Sequence, residues 1–208
     1  MQILVTAGPT HEPIDQVRFI GNKSSGQMGI AIAQAAAQAG HHTTLLLGPV
    51  NTTPQHPNIT TFPFTSSDQL KQLLEVHFKD AQILIMTAAV ADYKPLKITQ
   101  GKIPRTAHQP LTITLEPTPD LVASLAQSKS PQQKIIAFAL EEKQQLIPKA
   151  IAKMKRKKVD AIVANPLATM QSSYITPTYI TSAGQQTTLK RQSKSDFAAW
   201  LIVQLPSL

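Results

Sequence analysis

Short apolar runs alternate with amphipathic stretches along the chain, and the alternation predicts strand and helix in turn. Residues 3–6 are apolar and lead into Ala7-Gly8-Pro9, a strand running into a loop. A polar loop is predicted over residues 10–25. Residues 26–39 are alanine-rich and stop at Gly40, the usual residue just past a helix. A second strand is expected over 43–47, closed by Gly48-Pro49. Ser66 or Ser67 can cap a helix reaching Phe78, with Leu70, Leu73, Leu74 and Phe78 on one face. Residues 83–87 are continuously apolar, as a strand covered on both faces must be.

The second half repeats the alternation. Residues 111–115 alternate threonine with apolar side chains and predict a strand at a sheet edge or in a hairpin. Thr118-Pro119-Asp120 reads as a helix start, with Thr118 as N-cap and Pro119 at the first position. Two buried strands, 135–140 and 161–164, flank a helix whose first turn holds Pro148. A hairpin is expected over 179–189 around Ala183-Gly184. A closing helix over 195–205 would dock Phe197, Leu201 and Leu205. This order predicts an α/β fold: a Rossmann-like, parallel-core sheet with helices on both faces, plus a small β-hairpin and flap region. Ligands on such sheets bind at the carboxyl ends of the strands, here residues 6–8, 87–92, 140–142 and Asn165. One domain is expected over 1–208. Its flexible flap lies around 93–110, a stretch without periodicity that carries four basic residues and three prolines.

Composition narrows the chemistry. The 208 residues include no cysteine, which excludes a disulfide framework, a thiolate zinc site and a cysteine nucleophile supplied by this chain. Lysine and arginine outnumber the acids 20 to 12, a net charge of +8. That balance suits an anionic partner: nucleic acid, a membrane surface or a phosphorylated small molecule. Aromatics are only 5%, which disfavours a platform of stacked bases. No apolar stretch is long enough to span a bilayer, and the start of the chain lacks a basic n-region, so a cytoplasmic location is expected.

The loops offer candidate sites. Gly21-Asn22-Lys23-Ser24-Ser25-Gly26 leads into a helix and suits either a phosphate cradle or a capped tight turn. It is neither a G-x-G-x-x-G fingerprint nor a Walker A loop. Lys102, beside Gly101 and near Lys94, Lys97 and Arg105, can close over a triphosphate or belong to a solvated basic loop. In the run 153–158, Lys153 and Lys157 are four apart and share a face, whereas Ile147, Ile151 and Met154 form the buried stripe. Either a solvated helix end or a phosphate-facing pair fits that spacing. Asp92 and Asp120 suit a hard divalent cation, and Asp120 equally suits a helix start. No histidine falls in a metal-ligand spacing.

The run TAGPTHEPIDQVRFIGNKSSGQMG, from Thr6 to Gly29, resembles the N-terminal signature of the phosphopantothenoylcysteine synthetase family. TAAVADYKP, the GKI around Lys102, PTPDLVASLA, AFALEE and KKVDAIVANP follow in that family's order. Gly21, Pro104 and Glu142 depart from the pattern. The resemblance implies a ligase joining 4′-phosphopantothenate to L-cysteine through an acyl-nucleotidyl intermediate in coenzyme A biosynthesis. CTP is the expected nucleotide, ahead of ATP, with magnesium. It further implies a homodimer that binds neither nucleic acid nor membrane, and a stand-alone synthetase without the flavin decarboxylase domain. By matching position, Lys102 is implied to form the acyl-nucleotide and Asn22 to bind and convert it. Arg18 is implied to meet the substrate phosphate, across a dimer interface. Ser25, Gly26, Met86, Thr87, Ala88, Asp92, Lys102, Thr118, Pro119, Asp120, Phe138, Lys153 and Lys157 are implied nucleotide contacts, with Asp92 the metal ligand. The competing reading is a non-catalytic Rossmann-like protein that binds nucleotide or nucleic acid. A nicotinamide oxidoreductase is disfavoured by the missing fingerprint.

Overall fold

A computed structural model describes residues 1–105, 110–170 and 172–208. Along the chain run β1 (Gln2–Ala7), β2 (His11–Pro13), β3 (Phe19–Gly21), α1 (Gln27–Gln38), β4 (His42–Leu47), β5 (Ile59–Pro63) and α2 (Ser67–His77). There follow β6 (Ile83–Met86), β7 (Tyr93–Pro95), β8 (Leu115–Pro117), α3 (Leu121–Ser128), β9 (Lys134–Glu141) and α4 (Leu146–Lys157). The last elements are β10 (Ala161–Pro166), β11 (Tyr174–Ile175), β12 (Thr178–Thr181), β13 (Gln186–Thr188), β14 (Gln192–Ser193) and α5 (Lys194–Gln204).

The main sheet has the order β13-β12-β10-β9-β6-β1-β4-β5. The six strands from β10 to β5 pair in parallel, and β12 and β13 add an antiparallel edge. Read outward from β1, the chain first builds one side through β4 and β5, then returns to lay β6, β9 and β10 on the other. The order therefore reverses between β1 and β6, and there the strand ends leave a crevice.

Strand alternation divides the core into two halves. Leu4, Leu46, Leu84 and Ile135 face α2, α3 and α4, where Leu70, Leu74, Leu125, Ala150 and Met154 are buried. Val5, Leu45, Ile85 and Ile136 face α1 and α5, where Ile32, Ala36, Phe197 and Leu201 are buried. Small alanines along α1 let it lie close to β1. A Cβ placed on Gly29 would sit 2.5 Å from the Ala7 Cβ and 2.8 Å from the Thr6 carbonyl oxygen.

Several expectations need correction. The stretch 10–25 is not all loop: β2 and β3 pair within it. The half-exposed edge strand β5 was not foreseen. The strand expected over 111–115 lies instead at Leu115–Pro117, where it meets Tyr93–Pro95 antiparallel. Thr118 is not the cap of α3. Asp120 is, its carboxylate accepting from the Ala123 N–H at 3.1 Å, so Pro119 precedes the helix. Ser66 caps α2 as expected, accepting from the Gln69 N–H. The expected flap over 93–110 includes 106–109, which lie outside the described residues. Within its described part, residues 93–95 form a strand and 99–103 are hydrogen-bonded to the turn between β2 and β3.

Candidate functional site

Two loops are zipped together at the crevice. The Ala89 N–H donates to the Gly8 carbonyl at 2.9 Å, and the Thr10 N–H to the Ala89 carbonyl at 3.1 Å. Buried Thr6 and Thr10 complete the join, their hydroxyls accepting from the Ala88 and Ala91 N–H groups at 3.1 and 3.0 Å. These bonds make a firm floor from the ends of β1 and β6. Above it opens a cleft of about 1010 Å³, large enough for a nucleotide with a second substrate.

One wall is the turn into α1. Gly26 has φ +70°, a left-handed conformation that glycine adopts without strain, and among the described residues no side chain caps the helix. The first-turn N–H groups of α1 therefore remain as donors beside the cleft, with the positive end of the helix dipole behind them. The turn itself is tight, the Ser24 N–H donating to the Asn22 carbonyl at 2.9 Å and the Gly26 N–H to the Ser24 hydroxyl at 3.4 Å. Asn22 ties the turn to the floor by donating its Nδ2–H to the Val90 carbonyl at 3.0 Å. Its Oδ1 carries no hydrogen bond among the described residues.

The opposite wall is basic. Lys153, Arg156 and Lys157 of α4 line it beside Asp120. Lys153 donates to the Phe138 carbonyl at 2.9 Å, and burial, reinforced by the nearby Lys157 charge, lowers its pKa. Lys157 donates to the Asp120 carboxylate at 2.9 Å. Burial alone would raise the Asp120 pKa, but that bond, the Ala123 N–H and the charges of Lys157 and Arg156 hold it below the usual value. The spacing of Lys153 and Lys157 thus puts both at the cleft, although each already has a protein partner.

The cleft also gathers Ser25, Met86, Thr87, Ala88, Asp92, Thr118, Pro119 and Phe138. Arg18 and Lys102 lie outside its lining. Arg18 sits on the turn between β2 and β3, paired with Asp15 at 2.7 Å, and Lys102 extends into solvent from the neighbouring arm. Among the described residues no group of three His, Asp or Glu side chains could hold a metal alone. Asp92 and Asp120 on one cleft still fit magnesium, which takes one or two carboxylates and completes its shell with water and phosphate oxygens.

Several lining residues escaped the sequence reading as site residues, among them Arg156, Asn165, Lys194 and Gly29. Asn165, next to last in β10, has only 7% exposure and a buried Oδ1 without a partner among the described residues. Its signal was its place at a strand end. Lys194 lines the cleft from the first turn of α5, where the dipole disfavours a cation, and burial lowers its pKa. Gly29 was visible only as the end of a motif; its contact with β1 needed the structure.

The comparisons with known proteins fit this architecture. The family described as the DNA/pantothenate metabolism flavoprotein C-terminal domain matches residues 1–208. The chain is 43% identical over 166 residues to a cysteine/cysteine sulfinic acid decarboxylase from an unknown prokaryotic organism, covering 80% of this chain and 46% of that protein. It is 35% identical over 198 residues to the coenzyme A biosynthesis bifunctional protein CoaBC of Borreliella burgdorferi, covering 95% of this chain and 50% of that one. It thus spans about half the length of either relative. Among solved structures, the C-terminal domain of a coenzyme A biosynthesis bifunctional protein CoaBC superposes with a TM-score of 0.85 at 32% identity, over 99% of this chain and 94% of that one. Both walls of the cleft fall inside a match that runs from the first residue to the last, and the chain belongs to the DNA/pantothenate metabolism flavoprotein C-terminal domain family.

Proposed function

We propose that this chain is a ligase of coenzyme A biosynthesis that condenses 4′-phosphopantothenate with L-cysteine at the expense of a nucleoside triphosphate, CTP before ATP. The observation that carries the reading is one cleft with an uncapped helix N-terminus on one wall and three cations on the other. Two phosphorylated substrates need two such anion-binding surfaces facing each other. The name of the B. burgdorferi relative supports the pathway. The decarboxylase name of the other relative describes a protein of which this chain matches less than half.

The chemistry asks for positioning and charge neutralisation rather than a protein nucleophile. A carboxylate oxygen of phosphopantothenate attacks the α-phosphorus, the bond to the β-phosphate oxygen breaks, and pyrophosphate leaves. The cysteine amine then attacks the acyl carbon, an amide forms, the nucleoside monophosphate departs and the amine gives up a proton. Lys102 neutralises the charge that grows on pyrophosphate. Asn22, anchored through Nδ2, presents Oδ1 to the intermediate. Lys153 and Lys157 receive the nucleotide phosphates, and Asp92 with Asp120 would hold magnesium, which would supply further positive charge to the triphosphate.

A homodimer and a cytoplasmic location belong to the same proposal. Val17, Phe19 and Ile98 are 62, 53 and 60% exposed on the hairpin and arm, apolar surface that a second copy would cover. Light scattering should give twice the monomer mass; a monomer at micromolar concentration contradicts the dimer. For the reaction, Asn22→Asp should still form acyl-nucleotide yet stall before the amide. Wild-type amide formation by that variant would remove Asn22 from its role.

A further inference from the structure

The turn between β2 and β3 holds an aspartate whose partners reach well beyond the turn. Asp15 is 3% exposed. Its Oδ1 accepts from the Val17 and Arg18 N–H groups at 2.8 and 2.7 Å, closing the turn. Its Oδ2 accepts from Arg18 Nη1 at 2.7 Å and from the Ile103 N–H at 3.0 Å. Ile103 directly follows Lys102. The same Arg18 Nη1 donates to the Ile103 carbonyl at 3.3 Å, so both backbone groups of Ile103 are held. Just before Lys102, the Gly101 carbonyl accepts from the Gln16 N–H at 3.3 Å, and two residues earlier the Thr99 N–H donates to the Ile14 carbonyl at 3.0 Å. The arm is therefore fixed on both sides of Lys102 by one turn, and the lysine side chain alone is left to swing.

Every partner of the Asp15 carboxylate is a donor, so the site calls for a group that only accepts. The hydrogen bond from the Ile103 N–H, above all, draws the carboxyl down to about 2. The Val17 and Arg18 N–H groups and the guanidinium help, against the opposing effect of burial. We propose that Asp15 is the positioning residue of the Lys102 arm: it sets the root from which that amine reaches the nucleotide, and it aims Arg18 at the same time. This inference rests on the ligase reading for its consequence, though not for its geometry. It also explains why two residues outside the cleft lining can act at the cleft, since one buried carboxylate locks them into a single unit.

The test uses the whole chain with three readouts: hydrogen exchange at the Ile103 amide, single-turnover pyrophosphate release, and equilibrium CTP binding. In the wild type the Ile103 amide should be protected. In Asp15→Asn an amide NH2 faces two donors, so protection should vanish and release should slow by about 100-fold. CTP affinity should hold. Adding Lys102→Gln to Asp15→Asn should cost far less than it costs the wild type, because a misplaced lysine has little left to lose. Asp15→Ser is the second variant, with a hydroxyl that can still close the turn but is too short for Ile103; the same changes are expected there. An Ile103 amide that exchanges freely in the wild type overturns the proposal, as do full release rates in both variants or strictly additive losses. Failure of both variants to fold would make Asp15 a folding residue and would equally overturn it. A wild type that releases no pyrophosphate defeats the ligase reading instead, and Ile103 exchange then still decides whether Asp15 fixes the arm.

Discussion

The floor of the cleft and the arm that carries Lys102 lie side by side and are held in opposite ways. The floor is the end of the core: Ala7 and Met86 are buried on paired parallel strands, and Gly29 is pressed against β1 so closely that a single methyl has no room. The arm buries little apolar surface. Val17, Leu96 and Ile98 are exposed, and polar contacts hold it: Asp15 to Ile103, and buried Glu12 to the Ser67 N–H at 2.9 Å and hydroxyl at 3.0 Å. Packing makes the floor rigid and costly to alter. A few hydrogen bonds hold the arm in place without building it into the core, so it is locally separable from the fold.

That contrast sorts the expected effects of mutation. The largest is on chemistry with no effect on stability: Lys102→Gln should slow pyrophosphate release by roughly 100- to 1000-fold while the melting temperature stays put, since the side chain is exposed. A melting point that falls with activity would mean that arm and fold are not separable. Next is the reverse case at the floor. Gly29→Ala should destabilise by about 1–3 kcal/mol, or several degrees in a protein of this size, because Thr6 and Ala7 must shift to admit the methyl. Calorimetry showing no change would contradict the close packing.

A smaller effect appears only in acid. The Asp15 carboxyl lies at about 2 in the fold against an ordinary 3.8. A group lowered on folding contributes stability fully above its unfolded value, and that contribution is lost as pH falls through the folded one. Urea melts at about pH 5 and about pH 2.5 should therefore show a steeper acid loss for the wild type than for Asp15→Asn. Equal slopes would remove the carboxylate from the account of the arm. The smallest stability change should come from Lys157→Gln, within about 1 kcal/mol, because the partner Asp120 keeps 41% of its side chain exposed to water. The same variant should weaken CTP binding by at least about tenfold through loss of a charged hydrogen bond, measured by titration calorimetry.

The same contrast explains what could be read from the chain before the fold. The floor was legible because its strands are buried on both faces: 3–6, 83–87 and 135–140 are continuous apolar runs, and their carboxyl ends mark the crevice. Helical spacing put Lys153 and Lys157 on one face but left open whether that face met solvent or a cleft. The arm was not legible in the same way. β2, β3, β7 and β8 are three-residue pairs whose side chains face solvent as often as protein, so no periodicity betrays them. The contact between Asp15 and Ile103 joins residues 88 apart through a backbone N–H, which leaves no mark in side-chain pattern. Thr118-Pro119-Asp120 shows the limit of local rules: both Thr118 and Asp120 can cap, and the carboxylate that also reaches Lys157 took the position.

If the two walls hold two substrates for one ligation, the cleft must couple nucleotide cleavage to amide formation. The most direct measurement is pyrophosphate released when the protein meets 4′-phosphopantothenate, L-cysteine and CTP, with ATP in a parallel reaction. Release should require phosphopantothenate, run faster with CTP, and yield one amide product per pyrophosphate when cysteine is present. No release above background with either nucleotide would contradict that coupling.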